Sequence, residues 1–345
     1  MKKLLACLLV AATLVGCTSP KVADTTTTTA EETTSGSEMT TYSVGTGSVT
    51  SLKGSEVTDK NGYVQADTTY CTVVLKGDKI VSIYWDVAQN KGEFDATGKV
   101  VETAAETPTK KEKGDAYGMK EASPIKKEWY EQVAALEEFA IGKTIAEVLA
   151  LPVDDTTVPT GEDFKTSLTI KVGSYLKSLE VASKNLVEVE EVASVATGSI
   201  TEFRNAEATA EKEGQIQVNT TMATVALKAD GTIAYATFDV AQNTGKFDTA
   251  GKLTEDLTAL QTPTKKEKGD AYGMKEASPI KKEWFEQIAV LEEYAVGKTV
   301  ADVLALPVDD KTVPTAEDFK TSLTIKVGGY LKALEATTKA VKEVK

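Results

Sequence analysis

One feature constrains this chain more than any other: it carries the same long segment twice. Thr107–Trp129 (TPTKKEKGDAYGMKEASPIKKEW) recurs without change at Thr262–Trp284, Val148–Asp155 recurs at Val303–Asp310, and Glu162–Gly173 (EDFKTSLTIKVG) recurs at Glu317–Gly328. All three pairs are 155 residues apart. Upstream the offset shrinks, with Asp86–Asn90 answering Asp239–Asn243 and Gly47-Ser48 answering Gly198-Ser199. A period this long is a duplicated domain, not a solenoid unit. Two tandem homologous domains are therefore expected, at 42–190 and 191–345, with the boundary after the charged run Glu188–Glu191.

Within each copy strands come first and helices later. Thr68–Lys76 and Lys79–Val87 alternate apolar and polar residues around Gly77-Asp78, as a hairpin does, and Thr220–Lys228 and Thr232–Val240 repeat the design around Ala229-Asp230-Gly231. Ser123-Pro124, like Ser278-Pro279, reads as an N-cap with proline at the first helical position, opening a helix through Trp129, Val133, Leu136 and Phe139 to Gly142. Thr144-Ile-Ala-Glu147 has capping-box spacing for a short helix that Pro152 stops, and a last amphipathic helix follows Gly173 through Tyr175, Leu176 and Leu179. The expected class is α+β, each domain an antiparallel sheet packed with helices.

Composition excludes more than it identifies. The net charge is −13 and Arg204 is the only arginine, which disfavours nucleic acid and any polybasic membrane patch. Histidine is absent, so imidazole ligation and Ser-His activation are unavailable. The three cysteines are Cys7, Cys17 and Cys71, and Ala223 stands where Cys71 does in the second copy, so Cys71 reads as buried filler. One such thiol builds neither an iron–sulfur cluster nor an internal disulfide, and electron transfer would need an organic cofactor. Gly142-Lys143-Thr144 lacks the upstream glycine of a phosphate-binding loop. Asp86 and Asn90 lack calcium-loop spacing and read as turn or strand-end residues.

The N-terminus has the form of a processed leader. Lys2-Lys3 precede an apolar stretch from Leu4 to Val15, too short to span a bilayer comfortably, which ends in Leu14-Val15-Gly16-Cys17. That ending resembles the lipobox of bacterial lipoproteins, which implies removal of residues 1–16 and diacylglyceryl modification of Cys17. Residues 17–41, rich in Thr and Ser, hold too little apolar surface for a core and read as a disordered tether.

The segment Asp163-Phe-Lys-Thr166-Ser167-Leu168-Thr169, with Asp318-Phe-Lys-Thr321-Ser322-Leu323-Thr324 in the second copy, resembles the flavinylation motif of FMN-binding domains of the type found in the C subunit of sodium-pumping NADH:quinone oxidoreductase. In that family the final threonine carries FMN through a phosphoester, which implies Thr169 and Thr324 as attachment residues. Ser167 and Leu168 stand where Gly and Ala are usual. The surrounding order, from hairpin through Asp-Ala-Tyr-Gly-Met, a Glu-Trp helix and Gly-Lys-Thr to Asp…Thr-Ile, is similar to the extracellular branch of these domains over most of 60–180 and 212–336. Lipobox, tether and two copies together resemble the lipoproteins of Gram-positive flavin-based extracellular electron transfer.

The resemblance implies two covalent FMN groups, installed by a separate magnesium-dependent FAD:protein FMN transferase. A threonine hydroxyl without a histidine cannot attack unaided. It implies no enzyme activity of the chain's own. The implied role is an electron carrier anchored by lipid on the outer membrane face, between a quinone-linked donor in the membrane and extracellular acceptors such as ferric iron or partner reductases. Tyr117, Met119 and Trp129, with Tyr272, Met274 and Trp284, are the candidate walls for the flavin ring, and Gly118 and Gly273 would let backbone approach it. The competing expectation is a solute-binding or adhesive surface lipoprotein without cofactor, its released leader a peptide pheromone precursor.

Overall fold

The computed structural model describes residues 40–101 and 107–344. The leader, Cys17 and almost all of the tether lie outside them. In the first copy, β1 (Thr41–Ser55), β2 (Gly62–Lys76), β3 (Lys79–Phe94) and β4 (Val187–Glu190) form an antiparallel sheet of order β3-β2-β1-β4. In the second, β5 (Ser194–Phe203), β6 (Gly214–Leu227), β7 (Ile233–Phe247) and β8 (Val341–Glu343) repeat it as β7-β6-β5-β8. The segment that ends each copy returns to pair with that copy's first strand. The fold is α+β: two four-stranded antiparallel sheets packed with helices.

The β2–β3 hairpin closes at Gly77, whose φ of +62° suits glycine, with Lys76 opposite Lys79. Both hairpin strands run well beyond the stretch the alternation marked. The two faces of β2 have separate employment, because successive side chains point to opposite sides. Cys71, Val73 and Leu75 face one core with Trp85, Trp129, Val133, Leu136 and Leu179. The intervening Tyr70, Thr72 and Val74 face the other copy. Val74 packs with Val195 and Ala226, Tyr70 with Met222 and Ala241, and Thr72 Oγ1 lies 2.6 Å from Thr197 Oγ1. From Thr68 to Leu75 neither face meets bulk water, and that part of β2 is buried continuously.

Helices α1 (Lys110–Lys113), α2 (Trp129–Ala140), α3 (Ile145–Leu149) and α4 (Gly173–Lys184) cover the first sheet, and α5 (Lys265–Lys268), α6 (Trp284–Ala295), α7 (Val300–Leu304) and α8 (Gly328–Thr337) cover the second. The layers run helix, sheet, sheet, helix. Helix α4 reaches the first sheet closely because β1 offers Gly45 and Gly47 there; a Cβ on Gly45 would stand 2.5 Å from Ala182 O. The capping box expected at Thr144 is present, with Glu147 N donating to Thr144 Oγ1 at 3.2 Å and Thr144 N donating to Glu147 Oε2 at 2.7 Å.

The sheets meet about a pseudo-twofold axis, visible in reciprocal contacts. Phe94 and its counterpart Phe247 stack with centroids 4.0 Å apart and planes 2° from parallel. Val57 N donates to Gly251 O (2.9 Å), and the matching Ala208 N donates to Gly98 O (2.8 Å). Thr107 Oγ1 donates to Thr201 O, and Thr262 Oγ1 to Thr50 O. The described residues form one compact unit, so the repeats share cores as a homodimer would.

Two local expectations fail. Ser123-Pro124 does not start α2, which begins at Trp129; Lys126 has φ +53°, which no helix tolerates, and Glu128 N instead donates to Glu131 Oε2 at 2.7 Å to form the true cap. The same holds at Ser278-Pro279, where Lys281 has φ +54° and α6 begins at Trp284. Asp86 and Asn90 are neither turn nor strand-end residues. They sit inside β3 on the face toward the other copy, where Asn90 Nδ2 donates to Thr201 Oγ1 at 2.9 Å.

Candidate cofactor site

The Asp163–Thr169 segment is pinned by two apolar anchors. Phe164 ends a 3₁₀ turn, is buried, and meets Phe139 edge-on at 5.0 Å; Leu168, four residues on, is buried too. Leu168 N donates to Phe164 O at 2.9 Å, and Ser167 Oγ donates to Asp163 O at 2.9 Å, which tightens the turn. The side chains of Asp163 and Thr166 point to solvent. Thr169 follows directly on the second anchor and is half-buried.

Helix α2 holds that threonine through a residue the motif does not contain. Gln132 lies on the buried face with Trp129, Val133, Leu136 and Ala140, and is fully buried itself. Its Oε1 accepts from Thr169 N at 2.8 Å and from Thr169 Oγ1 at 3.2 Å. Its Nε2 donates to Ser123 Oγ at 3.2 Å and to Lys127 O at 3.3 Å. In the second copy Gln287 makes the same bonds to Thr324, Ser278 and Lys282, with Phe319 and Leu323 as anchors and Ser322 Oγ donating to Asp318 O at 2.9 Å. Asp318 and Thr321 are exposed, as their counterparts are. A glutamine kept on the buried face of both helices is the sequence signal that would have found this residue.

The aromatic candidates divide. Tyr117 and Met119, with Tyr272 and Met274, are half-buried at the edge of the core. Glu128 positions them: its Oε2 accepts from Met119 N at 2.9 Å and its Oε1 from Lys120 N at 3.0 Å. Gly118 and Gly273 have φ of +74° and +75°, and a Cβ on either would meet open space, so the backbone turn requires glycine while crowding does not. Trp129 and Trp284 are interior. Trp129 Nε1 donates to Tyr175 Oη at 2.8 Å, and Trp284 Nε1 to Tyr330 Oη at 2.7 Å, and burial pushes both tyrosine hydroxyls up in pKa. Each tryptophan is 2% exposed, which leaves no face for a planar ligand.

The first turn of α2 thus gathers the 119–128 loop on one side and Thr169 on the other. The start of α4 is stitched in as well: Thr157, at φ +68°, accepts from Val172 N at 2.8 Å and from Gly173 N at 3.3 Å, and Thr312, at φ +63°, accepts from Val327 N at 2.8 Å. A β-branched residue in the left-handed region is strained, and here the strain recurs in both copies beside the candidate threonine segment. The amide carbonyl that takes the Thr169 hydroxyl hydrogen is no base, so the site does not activate its own oxygen. Among the described residues there is no group of three or more potential metal ligands.

Two cavities lie elsewhere, between the copies. One of about 360 Å³ is lined by Ser48, Tyr70, Met222, Asp239 and Lys266; the other involves Tyr84, Asp86, Lys111 and Ser199. They are pseudo-twofold mates. In the first copy Asp86 Oδ2 takes the hydroxyls of Tyr70 (3.3 Å) and Tyr84 (3.2 Å), while in the second Met222 and Thr237 stand in those places. Burial pushes both Asp86 and Asp239 up in pKa against the lowering effect of Thr109 and Thr264. Neither cavity is lined by Thr169 or Thr324.

Comparison with known proteins adds little. No family model matches the chain, and no solved structure matches it. A segment of 40 residues is 62% identical to a chlorophenol reductase of Desulfitobacterium hafniense. That segment covers 12% of this chain and 12% of that protein.

Proposed function

We propose that this chain is an electron carrier bearing one FMN on each repeat, esterified to Thr169 and Thr324, and anchored by lipid at Cys17 on the outer face of a membrane. The observation that carries the reading is the matched presentation of the two threonines: each is half-buried with its hydroxyl held by a buried glutamine, in a copy whose core edge also carries a half-buried Tyr and Met. The residues fit the group. Thr169 and Thr324 would hold its phosphate, and Tyr117, Met119, Tyr272 and Met274 offer apolar surface next to open space at Gly118 and Gly273. When bound, FMN supplies reversible electron transfer.

The protein's own part is orientation. A covalent link removes dependence on flavin concentration outside the cell, where noncovalent occupancy would follow the free ligand. The shared cores between the repeats support a carrier whose two groups keep a fixed relation. The FAD:protein FMN transferase, a quinone-linked donor and an extracellular acceptor are the partners this reading requires. Among the described residues no helix is long and apolar enough to cross a membrane; the anchor this reading requires is the lipid at Cys17. The likeness to a reductase spans too little of either protein to bring its substrate here.

A second reading, a solute-binding surface lipoprotein, is favoured by the cavity between the copies with Asp239 and Lys266 in its wall. Co-expression with a flavin transferase separates the two. Denatured protein that stays yellow, with FMN lost from one site in Thr169→Val and from the other in Thr324→Val, supports the carrier. A colourless, unmodified chain favours the binding role.

A further inference from the structure

We infer that Gln132 and Gln287 are positioning residues for FMN attachment, each holding its threonine hydroxyl with the hydrogen turned inward and the oxygen lone pairs turned out. The inference rests on the flavinylation reading above. Three observations carry it.

The amide orientation is fixed by chemistry. Thr169 N–H is only a donor and Lys127 C=O only an acceptor, so Gln132 Oε1 must face Thr169 and Nε2 must face Lys127 and Ser123. The same bonds fix Gln287.

The hydroxyl bond goes beyond what folding requires. The backbone bond from Thr169 N already ties this segment to α2 and satisfies the glutamine carbonyl, so a valine at 169 would leave no buried group orphaned. The added bond from Oγ1 fixes a side-chain rotamer. Among the described residues nothing donates to that oxygen, so its lone pairs are free for a phosphorus electrophile.

The neighbouring positions have drifted while the glutamine has not. Between WYEQVAALEEFA and WFEQIAVLEEYA the pairs 130/285, 133/288, 135/290 and 139/294 differ, including apolar core positions, yet 132 and 287 are both glutamine. A generic core site would accept an apolar side chain of similar length.

The step served is a group transfer from FAD. Threonine Oγ forms a bond to the FMN-side phosphorus, and the bond from that phosphorus to the bridging oxygen breaks. AMP leaves with that oxygen, and the hydroxyl proton passes to the transferase or to solvent. Gln132 takes no proton. It presets the orientation that the nucleophile needs.

The test uses the full chain with the transferase and FAD, following incorporation at each threonine by peptide mass over time. Gln132→Met should slow labelling at Thr169 by about tenfold, the kinetic equivalent of one lost hydrogen bond at the reacting oxygen, while Thr324 labels at the wild-type rate. Gln132→Glu restores an acceptor at Thr169 but gives up the Nε2 donors. It should therefore keep most of the labelling if the glutamine positions the hydroxyl, and lose it if the glutamine is only a tether to Ser123 and Lys127. Gln287 variants should mirror this at Thr324. Wild-type labelling of Thr169 in Gln132→Met, or loss in Gln132→Glu with its melting temperature unchanged, overturns the inference. If Gln132→Met does not fold, Gln132→Glu decides alone. A wild-type chain unlabelled at both threonines would instead refute the flavin reading itself.

Discussion

Replacing Phe94 by alanine probes the contact on which the joint between the repeats rests. Phe94 is fully buried, stacks on Phe247 at 4.0 Å, and its ring edge fills the space above Gly62. Emptying such a site costs about 3–5 kcal/mol, because the backbone of two sheets cannot close the void. For a body of this size that corresponds to roughly 5–8 °C in melting temperature. The stack itself supplies about 0.5–1.5 kcal/mol of this, so Phe94→Ala/Phe247→Ala should cost less than the two single changes added together by about that amount. Because the repeats share three cores, the loss should be felt in both. Hydrogen exchange at α6 amides such as Ile288 and Leu291, in the copy that was not mutated, should quicken as much as at Val133 and Leu136. Calorimetry should give one transition, shifted whole. Two transitions, with the second copy's amides unmoved by the change in the first, would refute the shared-core reasoning.

Other consequences are equally direct. Tyr175→Phe strands the buried Trp129 Nε1 and should cost about 1–3 kcal/mol in denaturant unfolding, with Tyr330→Phe matching it through Trp284; a cost near zero would contradict the assignment. Gly47→Ala drives a methyl into the backbone of α4 at Ala182 and Ser178, and Gly198→Ala brings one to 2.5 Å from Thr337 N; each should destabilise by about 1–3 kcal/mol, and a neutral result would mean the helices sit farther from the sheets. The Glu147 carboxyl is held down at about 2 by the Thr144 backbone and hydroxyl and then by Lys79. Its folded pKa lies below the ordinary 4.5, so its contribution is complete above pH 4.5 and fades as pH falls toward 2; an NMR titration midpoint near 4.5 would contradict the cap.

The duplication, the hairpins and the capping box at Thr144 were all legible because each is a local pattern. What was not legible depends on the partner copy. Thr72 looks in sequence like the polar side of an alternating strand and Asn90 like a turn or strand-end residue, whereas they bond across the pseudo-twofold joint to Thr197 and Thr201, more than a hundred positions away, and Asp86 on the same face takes the hydroxyls of Tyr70 and Tyr84. Ser123-Pro124 carries the composition of a helix start, but the left-handed Lys126 delays the helix to Trp129. Trp129, a ring-stacking candidate by its type, is claimed by Tyr175 in the core. Gln132 went unread because a lone polar residue on an apolar face acquires meaning only when the segment it bonds is known. The threonine segment was found through resemblance, and its geometry came from α2.

The most direct measurement is the intact mass of the denatured full chain after co-expression with an FAD:protein FMN transferase. Two FMN additions are expected, falling to one in Thr169→Val or Thr324→Val and to none in the double variant. A chain that carries none, or that keeps both in the double variant, would contradict the assignment of these two threonines.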